Sequence, residues 1–108
     1  MRRGEIWTAT GGVCATKPRP VVIVQDNRFD ATDSVTVCPM TTTLIDAPLL
    51  RVVVEPDSTN GLDRASHIMI DKITTTRRSK IHSRLGALPH ETMVQVERSL
   101  LVFLGIAG

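Results

Sequence analysis

Two short stretches carry most of the chemistry this chain could do. In "KPRPVVIVQDN" an arginine, Arg19, stands between Pro18 and Pro20. Each proline fixes its own φ at about −65° and steers the residue before it towards extended geometry, so Arg19 keeps little backbone freedom. Its guanidinium stays charged at any working pH and can bind two phosphate oxygens at once, which suits charge developing on a phosphoryl group. A loop arginine that pairs with a nearby acid fits the same stretch, and the physics leaves the two uses even. The second stretch is "VTVCPMTTT". Pro39 cannot donate to a ladder, so regular pairing is expected to falter there and the threonines to emerge at a strand end. Thr41 then offers a hydroxyl beside the sheet, although threonine clusters are also common β-prone turn material.

Other reactive groups form no pattern. The three histidines, His67, His82 and His90, titrate near neutrality, but nothing in their spacing brings two together for acid–base work. Walker glycines, a nucleophile elbow and an HExxH helix are absent from the sequence. Cys14 and Cys38 are the only cysteines, with no CxxC and no histidines at zinc-like intervals, so neither a disulfide framework nor a metal site is expected. With Trp7, Phe29 and Phe103 as the only aromatics, base stacking is not the main device of any nucleic-acid contact. "DKITTTRRSKIHSR" is different, because it mixes cations with hydroxyl donors at strand-like alternation and could grip a phosphate backbone. A solvated edge strand protected by Lys and Arg reads the same way.

These residues need elements to position them. The 108-residue chain fits one domain, residues 1–108, with a real hydrophobic core. Its net charge of +2 is too small to identify a nucleic-acid binder, so the distribution matters more. Acids gather at Asp26, Asp30, Asp33, Asp46, Glu55, Asp57 and Asp63, while Lys72, Arg77, Arg78, Lys80 and Arg84 crowd together, which predicts one basic face. "MRR" is followed by no apolar signal core, and "LLVFLGIAG" is far below the roughly 20 residues of a membrane span. A reduced cytoplasmic setting is therefore expected, with no membrane partner.

Short β-branched runs recur between turn signals, as in a small antiparallel β protein. "GEIWTA", "PVVIVQ", "SVTVCPM", "LLRVVVEP", "HIMIDKI" and "IHSRLGAL" read as strands, with "PVVIVQ" covered on both faces and Val35 and Val37 alternating against Thr36 and Cys38. Asn60-Gly61 marks a turn inside the polar loop "DSTNGLDRAS", and Gly86 marks a bulge or a close approach. From His90 to Leu104 the spacing of Met93, Val96, Leu100, Phe103 and Leu104 predicts one amphipathic helix stopped by Gly105. Val94, Leu101 and Val102 widen its apolar surface, as deep burial or a second contact surface would.

Taken together, "RRGEIWTA", "KPRPVVIVQDN", "SVTVCPMTT", "RASHIMIDKI" and "LGALPHETMVQVERSLLVFLGI" resemble, in order and spacing, the successive blocks of the MazF/PemK family of toxin ribonucleases. The resemblance covers nearly the whole chain. It implies a mainly β fold, an SH3-like antiparallel barrel of the CcdB/PemK type with a C-terminal α-helix, assembled as a homodimer. It also implies a toxin of a type II toxin–antitoxin system that cuts single-stranded RNA (mRNA, in some members tRNA or rRNA) until a cognate MazE-like antitoxin blocks it. DNA enters only indirectly, through an antitoxin complex. The implied cut needs no metal or other cofactor: the substrate's 2′-hydroxyl attacks the neighbouring phosphate, leaving a 2′,3′-cyclic phosphate or 3′-phosphate and a 5′-hydroxyl.

By the resemblance, the family's catalytic arginine falls on Arg19 and its catalytic threonine on Thr41. Ser66 matches an RNA-touching serine, and Lys72 stands where members often carry glutamine, so recognition there should differ. Lys17, Arg77 and Arg78 complete the expected RNA contacts. The first loop, "TATGGVCATKPRP", is shorter than usual and lacks the family's Gly-Ser-Glu-Gln run, so no relative's cut sequence carries over. Gyrase-poisoning toxins of the CcdB kind share the fold and inhibit by binding, but typically lack the Arg and Thr blocks. A catalytically degenerate RNA- or antitoxin-binding module is the other alternative. The C-terminal helix and "SVTVCPM" are the expected dimer surfaces.

Overall fold

The structure, a computed structural model, describes residues 1–11 and 17–107. Cys14 and the middle of the first loop, residues 12–16, lie outside the described residues.

Among the described residues seven strands and one helix form, six of the strands on the predicted runs and β6 in the basic segment after them: β1 (Glu5–Ala9), β2 (Arg19–Ile23), β3 (Ser34–Thr41), β4 (Arg51–Val54), β5 (Ser66–Met69), β6 (Thr74–Arg77), β7 (Ile81–Ala87) and α1 (His90–Phe103). The sheet order is β4-β5-β3-β2-β1-β7, with β6 also paired to β3, and every pairing is antiparallel. The apolar run of β2 is covered on both faces as expected. Val22 and Val24 join Ile6, Cys38, Met40, Val52, Val54, Ile68, Met93 and Val96 in one core. Val21 and Ile23 join Ala9, Val35, Val37 and Ile81 in a second, on the other face.

β3 holds the two cores together and departs from its predicted pattern. Cys38 and Pro39 are both buried, so the alternation stops at Val37. The ladder does change at the proline: β3 pairs with β6 over Ser34–Val37 and then, on the same edge, with β5 over Met40–Thr41. Cys38 and Pro39 occupy the gap between these partners, where a missing N–H does no harm. The cause is a 3-10 turn, Ile70–Lys72, which ends the "HIMIDKI" strand at Met69 before β6 resumes the pairing. β3 is paired along both edges, and its apolar side chains fill the two cores.

The loop before β5 is pinned to β7. Gly86 is the predicted close approach: a Cβ there would overlap the Thr59 carbonyl oxygen and lie 2.7 Å from Asn60 Cα. Register also shifts between Ile6↔Gly86 and Trp7↔Arg84, so the bulge and the close approach coincide. Asn60 is fully buried. Its amide donates to the Glu55 carbonyl at 2.8 Å and accepts from Leu62 N–H at 3.0 Å, which fixes the loop from inside.

α1 begins after Pro89, carries Glu91 in its first turn and stops at Gly105, whose φ of +73° suits the left-handed helix end. Met93 and Val96 are buried under the sheet, but Leu101, Val102, Phe103, Leu104 and Ile106 are exposed. The stripe is thus core for its first turns only.

Candidate active site

Strand register assembles the site. β2 pairs with β3 as Ile23↔Val37, Val22↔Cys38 and Val21↔Pro39. Continuing that count by two residues brings Arg19, at the start of β2, level with Thr41, at the end of β3. Thr41 in turn pairs with His67 of β5, and His67 with Val53 of β4. On the other side Arg19 pairs with Ala9 of β1. Thr41 and His67 are directly opposed, with Cβ atoms about 5 Å apart, and Arg19, two residues beyond the last β2–β3 pair, falls on the same face at the same end of the sheet.

Arg19 is exposed, and among the described residues no acid or carbonyl engages its side chain. The salt-bridged use of this arginine is therefore not the one the fold adopts. Thr41 is half-buried, and its Oγ1 accepts the Thr43 N–H at 3.1 Å, which leaves the hydroxyl proton free to donate. A fork of cationic donors beside a neutral hydroxyl donor can hold two or three oxygens of one phosphoryl group.

The RNA contacts expected from the sequence do not all gather here. Ser66 does lie at this end of the sheet, next to His67, but one residue out of step with it. Its side chain is buried on the opposite face and donates to the Arg64 carbonyl at 3.0 Å. With Pro20, Thr42, Leu62, Asp63 and Leu85 it lines a cleft of about 230 Å³ adjoining the Arg19–Thr41 pair through Pro20 and Thr42. Lys17 is exposed two residues before Arg19. Lys72 ends the 3-10 turn and is exposed, while the adjacent Asp71 pairs with Arg51 at 3.3 Å. Arg77 pairs with Ser34 at the far end of β3, about 23 Å along the strand from Thr41. Arg78 Nε donates to the Thr32 carbonyl at 2.7 Å, and its Nη2 donates to that of Asp30, so this guanidinium braces a turn.

The single basic face predicted from the sequence breaks up for the same reason. Arg77 and Arg78 share a cavity with Asp33, and Arg84 binds Glu5 at 2.9 Å. Burial works to raise the Glu5 pKa, but hydrogen bonds from Arg2 N–H, Trp7 and Arg84 outweigh it and hold the carboxylate below its usual range. Cys38 is buried, and desolvation pushes its thiol up to about 12, so it is no nucleophile. Among the described residues no group of three or more His, Cys, Asp or Glu side chains gathers as a metal would need.

The profile of PemK-like, MazF-like toxins of type II toxin–antitoxin systems matches residues 2–104. The chain belongs to this family. It is 57% identical, over 109 residues and the whole of both chains, to a probable endoribonuclease MazF of Mycolicibacterium smegmatis. An endoribonuclease solved in complex with its cognate antitoxin, from a mycobacterial species, superposes with a TM-score of 0.82 at 25% identity, covering 100% of this chain and 98% of that one. MazF of Deinococcus radiodurans shares the fold, with a TM-score of 0.77 at 20% identity over 97% of this chain and 96% of that one. The sheet and C-terminal helix described above are thus the SH3-like, CcdB-type fold of the MazF toxins.

His67, one of the three histidines whose spacing gave no partner, lies beside Thr41 in the fold. In "RASHIMIDKI" it reads as one more strand position, and only the β3–β5 pairing places it against Thr41. His82 and His90 are exposed; His82 Nε2 lies 3.0 Å from Thr10 Oγ1, on the β1 side of Arg19.

Proposed function

We propose that this toxin is an endoribonuclease whose substrate is single-stranded RNA, cut at a phosphate seated between Arg19 and Thr41. The observation that supports this is the β2–β3 register, whose continuation by two residues runs from Val21↔Pro39 to the proline-clamped Arg19, free of any ion pair among the described residues, and Thr41.

The RNA's 2′-hydroxyl oxygen attacks the adjacent phosphorus, the P–O5′ bond breaks, and the products are a 2′,3′-cyclic phosphate and a 5′-hydroxyl. Arg19 stabilises the charge that builds on the phosphorane oxygens and assists transfer of the 2′-hydroxyl proton towards the leaving 5′-oxygen. Thr41 donates a hydrogen bond to a phosphoryl oxygen. The Arg19 backbone, clamped by two prolines, and the Thr41 oxygen, fixed by the Thr43 N–H, are in place before substrate arrives, which limits the reorganisation needed as charge develops. Lys17 and Lys72 contribute phosphate attraction from the flanks. The cleft beside Ser66 has the size and the mixed lining of Pro20, Leu62, Leu85 and Asp63 to seat one splayed-out base. Arg77 reaches RNA only along a longer path, and Arg78 is committed to its turn.

A cognate antitoxin is the regulatory partner, a reading supported by the mycobacterial endoribonuclease solved in complex with its own, and the working form is a homodimer. No described helix is long and apolar enough to cross a membrane; we place the toxin's action in the cytoplasm, where its RNA is. Incubation of purified protein with a long single-stranded RNA in EDTA tests the reading. Wild type should cut, whereas Arg19→Ala and Thr41→Ala should each lose about 100-fold or more in rate. Near-wild-type cleavage by both variants, or gyrase inhibition without any cleavage, would overturn it.

A further inference from the structure

Thr41 pairs with a buried histidine that has nothing to do. His67 is only 6% exposed, and its Nδ1 is shielded from solvent with no hydrogen-bond partner. Buried polar atoms of this kind are rare in folded proteins, and each calls for an explanation. An aliphatic residue would fill the position between Thr41 and Val53 without leaving an orphan. His67 has two direct cross-strand neighbours, Thr41 on β3 and Val53 on β4, and of their side chains only that of Thr41 carries a polar atom.

A threonine hydroxyl has one proton and two lone pairs. Thr43 N–H already occupies one lone pair at 3.1 Å. The second lone pair is open, and direct cross-strand partners have Cβ atoms about 5 Å apart, within reach of one side-chain hydrogen bond.

We propose that His67 is a positioning residue for Thr41: when RNA is bound, its Nδ1–H donates to Thr41 Oγ1. With both lone pairs held by donors, the hydroxyl proton has one direction left, the phosphoryl oxygen. In the free protein Nδ1 stands unpartnered, and the bond is made with RNA in place. His67 itself touches no substrate and transfers no proton. The inference rests on Thr41 donating to the phosphoryl group, as proposed above.

The test compares single-turnover kcat, KM and thermal melting for wild type, His67→Leu, His67→Asn and His67→Gln, with His67→Leu repeated in a Thr41→Ala background. Asparagine places an amide N–H where Nδ1 stands, whereas glutamine reaches to the position of Nε2. His67→Leu and His67→Gln should lose about tenfold in kcat with KM and melting temperature held, the worth of one hydrogen bond. His67→Asn should keep most of the wild-type kcat. In the Thr41→Ala background the leucine substitution should cost nothing more. Wild-type kcat in His67→Leu, equal losses in the asparagine and glutamine variants, or an undiminished loss without Thr41 would each overturn the proposal. If His67→Leu fails to fold, the contrast between asparagine and glutamine still decides. Full cleavage by Thr41→Ala alone would instead sink the role of Thr41, a separate outcome.

Discussion

At the scale of single residues, the site depends on the shape of a cation more than on its charge. Arg19 presents a planar fork on a backbone stiffened by two prolines, while lysine would present a mobile point charge. Arg19→Lys should therefore keep RNA affinity, since the phosphate attraction remains, yet lose roughly 10-fold to 100-fold in kcat. Filter binding alongside cleavage kinetics separates the two, and an unchanged kcat would show that charge alone suffices. Cys38 makes the opposite point, a reactive group rendered inert. Burial raises its pKa to about 12, against 9.0 for the ordinary thiol. In a Cys14→Ser background, iodoacetamide at pH 8 should label native protein far more slowly than protein in denaturant. The sign of the linked stability also follows. The folded state holds the thiol proton more tightly, so this contribution is complete below pH 9 and is lost as the pH rises from 9 towards 12.

At the scale of elements, the site exists because loops and turns force particular strands together. The loop ahead of β5 is latched to β7 through Gly86, and an alanine Cβ there meets backbone on the far side. Gly86→Ala should destabilise the fold by on the order of 3 kcal/mol, visible as a lowered denaturant midpoint, and should loosen the Ser66 cleft with it. The same loop is tied by Asp57, whose carboxylate accepts from Thr59 N–H, the Thr59 hydroxyl and Asn60 N–H, with those bonds holding its pKa below the usual value of 3.8. A depressed carboxylate supports the fold above its unfolded pKa. Its support fades as pH falls through the lower folded value, and an Asp57→Asn variant should lack that acid dependence in melts between pH 5 and pH 2. The strands themselves were legible in the sequence, because β-branched runs, the Asn60-Gly61 turn and the helical spacing after His90 act locally. What happens at Pro39 was only half legible. A break in pairing follows from the missing N–H, but the change of partner from β6 to β5 depends on the Ile70–Lys72 turn, which carries no strong local signal. Likewise Arg77 and Arg78 adjoin the site in a charge count and not in space, because β6 runs back along β3 to its far end.

At the scale of the whole molecule, what remains unexplained by the isolated chain is its exposed apolar surface. Leu101, Val102, Phe103, Leu104 and Ile106 are each at least 41% exposed, in a stretch from residue 101 onward without one charged side chain. The sequence showed the excess of apolar residues on α1 but left core and interface unseparated, since helical spacing alone does not say where the sheet ends beneath the helix. The structure separates them: Met93 and Val96 are core, and the last turn overhangs it. The apolar side chains of β3, the other surface expected to dimerise, are already buried in the two cores. We therefore assign the dimer contact proposed above to the last turn of α1, where a second copy presents the same uncharged patch about a two-fold axis. Such symmetry doubles the effect of any substitution, because each change enters the contact twice. Phe103→Glu with Leu104→Glu would bring four carboxylates into one apolar contact and should raise the dimer Kd by about 100-fold or more. Neither side chain is in the core, so the melting curve of the monomer should be unaffected at concentrations where wild type is already dissociated. Light scattering at micromolar concentration reads the outcome: a wild-type dimer and a folded monomeric variant support the assignment, whereas a variant that remains a dimer moves the contact elsewhere on the chain.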